Sequence, residues 1–332
     1  MSRLDQKPWK VALVTGCDSA EGIGQALCRE LVTRGLLVYA TGLSLETMAS
    51  LRDSAPKQIR IMVMDVTCEN QVQEIIDKVV AEAGGIDILI NNAGIGALAP
   101  TIEADLSIGR RVHEVNFWGT WAVCKAAGRH MAARRRGVVV NIGSMASRGH
   151  TPFTAAYNTS KAAVESLTHS LRLELMPYGI AVIYAAPTWC RTAIAANSKM
   201  PSDAEWRTGL YGAIREHVLR ETNAVNAPGA WPPSRIAARI VDAALCNRPP
   251  VVVYGGGQYL ALGFLAGWVP RWVRDWVIWH RSGLGHLARL LSATTTARTM
   301  TTMSSLPPGG ATCTNAPPAG AAGSVGGAAE EN

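Results

Sequence analysis

The chain is expected to fold as an α/β protein built on a doubly wound parallel sheet of about seven strands. Two observations carry this. Short apolar runs recur along the first 255 residues, separated by segments with helical periodicity. The first run, KVALVT at 10–15, leads straight into a glycine-bearing turn, TGCDSAEGIG at 15–24, and then a helical pattern. Runs of this kind read as strands buried on both faces. In such a sheet the functional edge lies at the carboxyl ends of the strands.

The elements follow in order. Helical periodicity begins at about Gly24 and runs to Thr33, and strands are expected at Leu36–Thr41 and Ile59–Met64. Glu69–Ala83 is an amphipathic helix, and DILIN at 87–91 is the fourth strand. A long helix over about 106–133 precedes VVVNI at 138–142. The next helix starts near Ala155 and stops at Pro177, since proline cannot continue it. Ile180–Ala185 and Val251–Tyr254 complete the sheet, with a helix from Ser234, read as its cap, to Cys246 between them. Residues 188–233 read as irregular or weakly helical.

Composition narrows the function. The chain has 332 residues and a formal net charge of +7, but its basic residues are scattered, which speaks against nucleic acid. The run Arg134–Arg136 reads as a solvated turn. Seven cysteines form no C-x-x-C pair and no Cys/His cluster, so neither a metal site nor a disulfide framework is expected. Reduced thiols suit a cytosol-facing protein, and MSRLDQKPWK has no apolar segment of the signal-peptide kind.

The chemistry-bearing stretch is SMASRGHTPFTAAYNTSK, 144–161. In a helix, Tyr157 and Lys161 lie one turn apart on one face, and Ser144 precedes the tyrosine by thirteen positions. An ammonium beside a phenol favours the phenolate, so a lowered Tyr157 pKa is expected. Such a phenol can exchange a proton with a carbonyl or alcohol oxygen, and a serine hydroxyl can hydrogen-bond the same atom. The glycine turn, placed between strand and helix, suits a pyrophosphate at a helix N-terminus.

In combination these features resemble the short-chain dehydrogenase/reductase family. The matches are TG-x5-GIG at 15–24, Asp65-Val66, NNAG at 91–94, Asn116, Ser144, Tyr157, Lys161, and Pro187 with Thr192. They cover about residues 8–255 in the family's order. The resemblance implies a Rossmann-type fold, a nicotinamide cofactor and reduction of a ketone. It implies that Gly16, Gly22, Ile23 and Gly24 line the pyrophosphate, that Asp65 holds the adenine amine, and that Asn92 lies by the neighbouring ribose. Tyr157 would be the general acid/base and Lys161 would hold the nicotinamide ribose. Ser144 would polarise the substrate carbonyl, Asn116 would anchor a relay water, and Thr192 would hold the carboxamide. Homo-oligomers are also implied by resemblance.

Three features depart from the family. The glycine turn is two residues longer than TG-x3-G-x-G, and Pro187-Thr188 stands where Pro-Gly is usual. The second strand ends in ATGLS, with Gly42 where an acid would signal NAD and Leu43 where an arginine would meet a 2′-phosphate. With the acid gone a repulsion is gone, so NADP(H) is favoured over NAD(H), with Thr41 and Ser44 hydroxyls as weak phosphate contacts.

Beyond the core, Trp189, Trp206, Tyr211 and Trp231 are candidates either to wall a substrate pocket or simply to pack. Residues 258–291 are apolar and rich in Trp and Arg. Their apolar run, 259–269, is too short to span a bilayer, but Trp272, Trp276 and Trp279 at helical spacing suit a membrane interface. The competing reading is a helix docked on the enzyme or on a second subunit. Together with SMAS…YNTSKAAVESLTHSLRLEL, the motif PRWVRDW resembles fungal NADPH-dependent 1-acyldihydroxyacetone-phosphate reductases, implying a hydrophobic lipid ketone and attachment to endoplasmic reticulum or lipid-droplet membrane. A keto-reductase of secondary metabolism and a non-catalytic lipid-binding scaffold are the alternatives. Residues 292–332 lack large apolar side chains almost entirely and are expected to be disordered. The expected division is therefore a reductase domain at 1–257 with a substrate lobe at 188–233, an extension at 258–291 and a tail at 292–332.

Overall fold

In the computed structural model, seven parallel strands lie in the order β3-β2-β1-β4-β5-β6-β7. The structure describes residues 11–192, 194, 198, 200–222, 229–258 and 268–293. The strands are β1 (Val11–Val14), β2 (Leu37–Gly42), β3 (Ile59–Val63), β4 (Ile88–Asn91), β5 (Gly137–Ile142), β6 (Ile180–Pro187) and β7 (Val252–Gly255). The helices are α1 (Ile23–Thr33), α2 (Leu45–Ser54), α3 (Glu69–Ala83), α4 (Leu106–His113), α5 (Thr120–Arg134), α6 (Ala155–Leu175), α7 (Asp203–Thr208), α8 (Arg215–Thr222), α9 (Pro233–Leu245) and α10 (Arg271–Arg281).

The central strands read as continuous apolar runs because both faces are covered. Every residue of β1, β4 and β5 is buried. One core, around Ala12, Val14, Leu27, Ile88, Val140 and Ile240, lies under α1 and α9. The other, around Leu13, Ile76, Leu89, Val123, Val139 and Val182, lies under α3 and α5. The chain leaves β1 towards β2 on one side and β4 lies on the other. Their carboxyl ends form a topological switch point, where a doubly wound sheet opens a crevice.

Four local expectations need correction. The helix expected over 106–133 is two α-helices joined by a π-helical turn, Glu114–Gly119. The helix ending near Cys246 begins at Pro233, with Pro232 as its N-cap, so Ser234 lies inside it. Helix α2 was not foreseen; Ser44 caps it by accepting from Glu46 N–H. The basic run 134–136 is not merely solvated: Arg134 and Arg136 stand 3.0 and 3.2 Å from Asp87, whose side chain is 3% exposed. The Asp87 carboxylate also accepts from Val11 N–H, tying the start of β1 to this pair.

The chain divides into residues 1–287, which hold all these elements, and 288–332. The expected apolar run lies mostly, and the expected disordered tail almost wholly, outside the described residues. Among the described residues no helix is long and apolar enough to cross a membrane.

Candidate active site

The glycine turn leaves β1 through Gly16, whose φ of 69° is a left-handed conformation suited to glycine. A Cβ there would come within 2.6 Å of Ala93 Cα, and one on Gly24 within 2.5 Å of Gly16 O. Only bare backbone lets the turn, the loop after β4 and the start of α1 close on one another. Gly22 caps α1 without a side-chain hydrogen bond, so the first N–H groups of this helix face the turn with no side chain occupying them. That cradle fits a pyrophosphate, which needs close backbone approach and uncapped donors.

The loop after β4 is stitched to the same turn. Thr15 Oγ1 accepts from Asn92 N–H and Ala93 N–H, each at 3.0 Å. Asn92 Nδ2 donates to Thr15 O at 2.8 Å and Gly16 O at 2.9 Å, so the amide nitrogen expected beside a ribose fixes the turn. Asp65, two residues past β3, accepts from the Thr67 N–H and the Thr67 hydroxyl on one oxygen, which forms a local turn. Gly22, Ile23 and Thr192 are half-buried around the crevice.

The residues expected to handle the proton converge at the ends of β5 and β6. Ser144 follows β5, and α6 carries Tyr157 and Lys161 on one face, as expected from their spacing. Tyr157 is half-buried, with Ser144 close enough to its phenol to lower its pKa. Lys161 is 4% exposed; its Nζ donates to Ile142 O at 2.8 Å and lies 5.8 Å from the centre of the Tyr157 ring. The expected depression of the phenol pKa is not what the structure shows. Burial raises Tyr157 above its ordinary value, with the Ser144 hydrogen bond opposing, and burial brings Lys161 down to about 8.

Asn116 sits in the π-helical turn, fully buried. Its Oδ1 accepts from Ile95 N–H at 2.8 Å, and Nδ2 donates to Ile95 O at 3.0 Å and Ser160 Oγ at 2.9 Å. Ser160 in turn donates to Tyr157 O at 2.8 Å. The π-turn thus brings the amide to the loop after β4 and to the tyrosine helix together, as single π-turns at functional sites often do.

Two supporting residues escaped the sequence reading. Tyr184 on β6, 1% exposed, receives Ser144 N–H at 3.2 Å and meets Ser144 O at 3.1 Å. A Cβ on Gly143 would fall 2.0 Å from the Tyr184 ring, so glycine there makes room for it. Ser160 is the other. The only advance signal was a tyrosine inside an apolar strand and a glycine just before the serine.

The aromatic candidates resolve differently. Trp206 is 3% exposed and packs with Phe153 and Ile214 in a satellite core, and Tyr211 lies edge-on to Phe153 at 5.3 Å. Trp231 packs on the main core with Arg235 over its ring at 3.8 Å. Trp189 bridges to Gly257. Trp206, Tyr211 and Trp231 therefore act in packing.

Known proteins place this arrangement. The short chain dehydrogenase family model matches residues 10–202. A short-chain dehydrogenase, ptmH, of Penicillium ochrochloron is 32% identical over 83% of this chain and 98% of its own. An NADPH-dependent 1-acyldihydroxyacetone phosphate reductase of Schizosaccharomyces pombe is 34% identical over 65% of this chain and 72% of its own. The crystal structure of a short-chain dehydrogenase from Streptomyces avermitilis superposes with a TM-score of 0.69 at 27% identity, covering 84% of this chain and 99% of that one. With its seven-stranded Rossmann-type sheet and this match over more than half its length, the chain belongs to the short-chain dehydrogenase family.

Proposed function

We propose that this protein is a nicotinamide-dependent carbonyl reductase, reversible as an alcohol dehydrogenase, acting on a hydrophobic ketone of the acyl-dihydroxyacetone-phosphate kind. The observation that carries the reading is the convergence of Ser144, Tyr157 and Lys161 at the sheet edge that also holds the glycine cradle. For the substrate class, the support is the name of the Schizosaccharomyces pombe relative. That name also supports NADP(H), and against it stands the Asp18 carboxylate, which lies 2.6 Å from where a Cβ on Gly42 would be.

A nicotinamide dinucleotide, when bound, supplies or accepts the hydride. The residues handle everything else. Gly16, Gly22, Ile23 and Gly24 would hold the pyrophosphate against the start of α1. Asp65 and Asn92 would border the adenosine and Thr192 the carboxamide. Ser144 hydrogen-bonds the ketone oxygen and Tyr157 passes its proton to that oxygen as the alkoxide forms. Lys161 sets the charge beneath the phenol. Asn116, through Ser160 and Ile95, positions the tyrosine helix.

The test is Tyr157→Phe, which keeps the ring and removes the transferable proton. Turnover should fall by at least about 10², the low end for general acid–base catalysis, with dinucleotide affinity nearly unchanged. Near-normal turnover would overturn the mechanism.

We also propose that α10 meets a lipid surface. Trp268, Trp272, Trp276 and Trp279 are 82%, 74%, 61% and 44% exposed, and Arg271, Arg274 and Arg281 lie among them. Such exposure of large rings is unusual on a chain that meets only water. Attachment to a membrane on the cytosolic side follows as part of the same proposal.

A further inference from the structure

The glycine turn carries a side chain that binding a pyrophosphate does not require. Asp18 lies two residues past Gly16, yet its carboxylate crosses to the end of β2. There Oδ1 accepts from Leu43 N–H at 2.7 Å, Ser44 N–H at 3.1 Å and the Thr47 hydroxyl at 3.1 Å. These donors stand at the start of α2, an end of a helix that favours negative charge. Oδ2 occupies the space beside Gly42: a Cβ built on that glycine would lie 2.6 Å from it. Gly42 is the position from which an acid would reach an adenosine ribose, so the acid missing from β2 is delivered from the neighbouring turn.

We infer that Asp18, reaching across from the glycine turn to the end of β2, is the residue that selects between the two nicotinamide dinucleotides, and that it favours NAD(H). The inference rests on the nucleotide reading of the cleft. Charge is its first support, because a carboxylate accepts from ribose hydroxyls but repels a phosphate in the same place. The second is that most of the donors a 2′-phosphate would need are committed elsewhere. The N–H groups of Leu43 and Ser44 are held by Asp18. The Ser44 hydroxyl accepts from Glu46 N–H at 3.2 Å and keeps only its own proton to offer. The Thr41 hydroxyl, expected to meet phosphate, donates to Val14 O at 3.3 Å inside the sheet, and Thr41 is 0% exposed. Leu43 is 63% exposed and brings no cation. The third is the length of the turn, since its two additional residues follow Gly16 in the stretch that carries Asp18 out to β2.

Titration of the purified full-length chain with NADH and with NADPH, followed by reduced-nicotinamide fluorescence, reads the selection without turnover. NADH should bind at least about tenfold tighter than NADPH, and the ratio should narrow as salt rises. Asp18→Asn removes the charge in the same shape, and Asp18→Ser shortens the side chain. Each should tighten NADPH by roughly tenfold and leave NADH unchanged or weaker. Melting curves accompany both variants, and the unaltered chain decides even if neither variant folds. Tighter binding of NADPH than NADH by the unaltered chain overturns the inference. So does a ratio that stays the same in both folded variants. If both dinucleotides bind with a ratio indifferent to Asp18, only this inference falls; if neither binds, the nucleotide reading of the cleft falls with it.

Discussion

Tyr157 and Lys161 show how one pair of side chains can be read correctly for position and incorrectly for charge. Their helical spacing fixes that they share a face of α6, and the structure places them there. The sign of the tyrosine shift depends on surroundings that spacing does not contain. Lys161 is itself buried, drawn down to about 8, while burial raises the phenol above its ordinary value. The direction has a consequence for pH. A phenol whose pKa is raised is protonated through the neutral range, so the form that gives a proton to a ketone dominates there. Reduction should be flat around neutrality and should decline as pH rises past about 8, where Lys161 loses the charge beneath the phenol. Alcohol oxidation needs the phenolate, which the raised pKa withholds and the loss of the Lys161 charge disfavours further, so it should gain little over the same interval. Initial rates in both directions over this range check it; a reduction rate that climbs with alkalinity would contradict the burial argument. Asp18 teaches a related lesson. The NADP(H) expectation looked only along β2, where Gly42 is not acidic. The carboxylate that reaches the end of β2 comes from a neighbouring loop, and no periodicity within β2 announces it.

At the scale of elements, what could be read in advance was whatever local pattern controls. Apolar runs between helical segments located all seven strands, because strands covered on both faces must be apolar throughout. Helix α3 matches its expected limits, with Val72, Ile76 and Val79 buried on one face. Helix α2 was missed because it buries only Met48 and Leu51, too short a stripe to stand out as periodicity. The π-turn around Asn116 was missed because its geometry is set by two partners far away in sequence, Ile95 and Ser160. Likewise the arginine run after α5 looked like a solvated turn until Asp87 was seen beneath it. That contact makes a stability prediction at the edge of the sheet opposite the active site. Asp87→Ala would take the buried carboxylate from Arg134 and Arg136 and remove the acceptor of Val11 N–H. Removing one partner of a fully buried pair costs about 3–5 kcal/mol, and these arginines keep some water, so a loss of about 2–3 kcal/mol is expected. Denaturant unfolding should report that loss with dinucleotide affinity unchanged. A change below about 0.5 kcal/mol, the ordinary range of surface substitutions, would show the pair to be incidental.

For the whole molecule, the region beyond β7 combines a docked part with the part proposed to meet lipid, which the sequence presented as alternatives. Helix α10 has no buried residue and turns its tryptophans outward, as a membrane-facing helix would. Its carboxyl end, however, is fastened to the enzyme. His217 of α8 meets Arg281 O, Arg281 stands 6.0 Å from the Trp189 ring, and Leu284 and Leu287 join Trp206, Ile214 and Val218 in the satellite core. Docking and the proposed lipid contact thus fall on different residues in one segment. Two alterations should separate them. A chain ending near Gly257 loses Leu287, 8% exposed, along with the tryptophans, and should melt lower because the core around Trp206 is opened. Trp272→Ser with Trp276→Ser leaves that core intact, since these rings are 74% and 61% exposed. The double variant should keep the melting temperature of the full chain but lose sedimentation with anionic lipid vesicles, and turnover of a long-chain ketone in vesicles should fall more than that of a small soluble ketone. Undiminished sedimentation of the double variant, or full-length protein that ignores vesicles altogether, would end the lipid-surface proposal; an unchanged melt after truncation at Gly257 would mean that the satellite core does not need its C-terminal leucines.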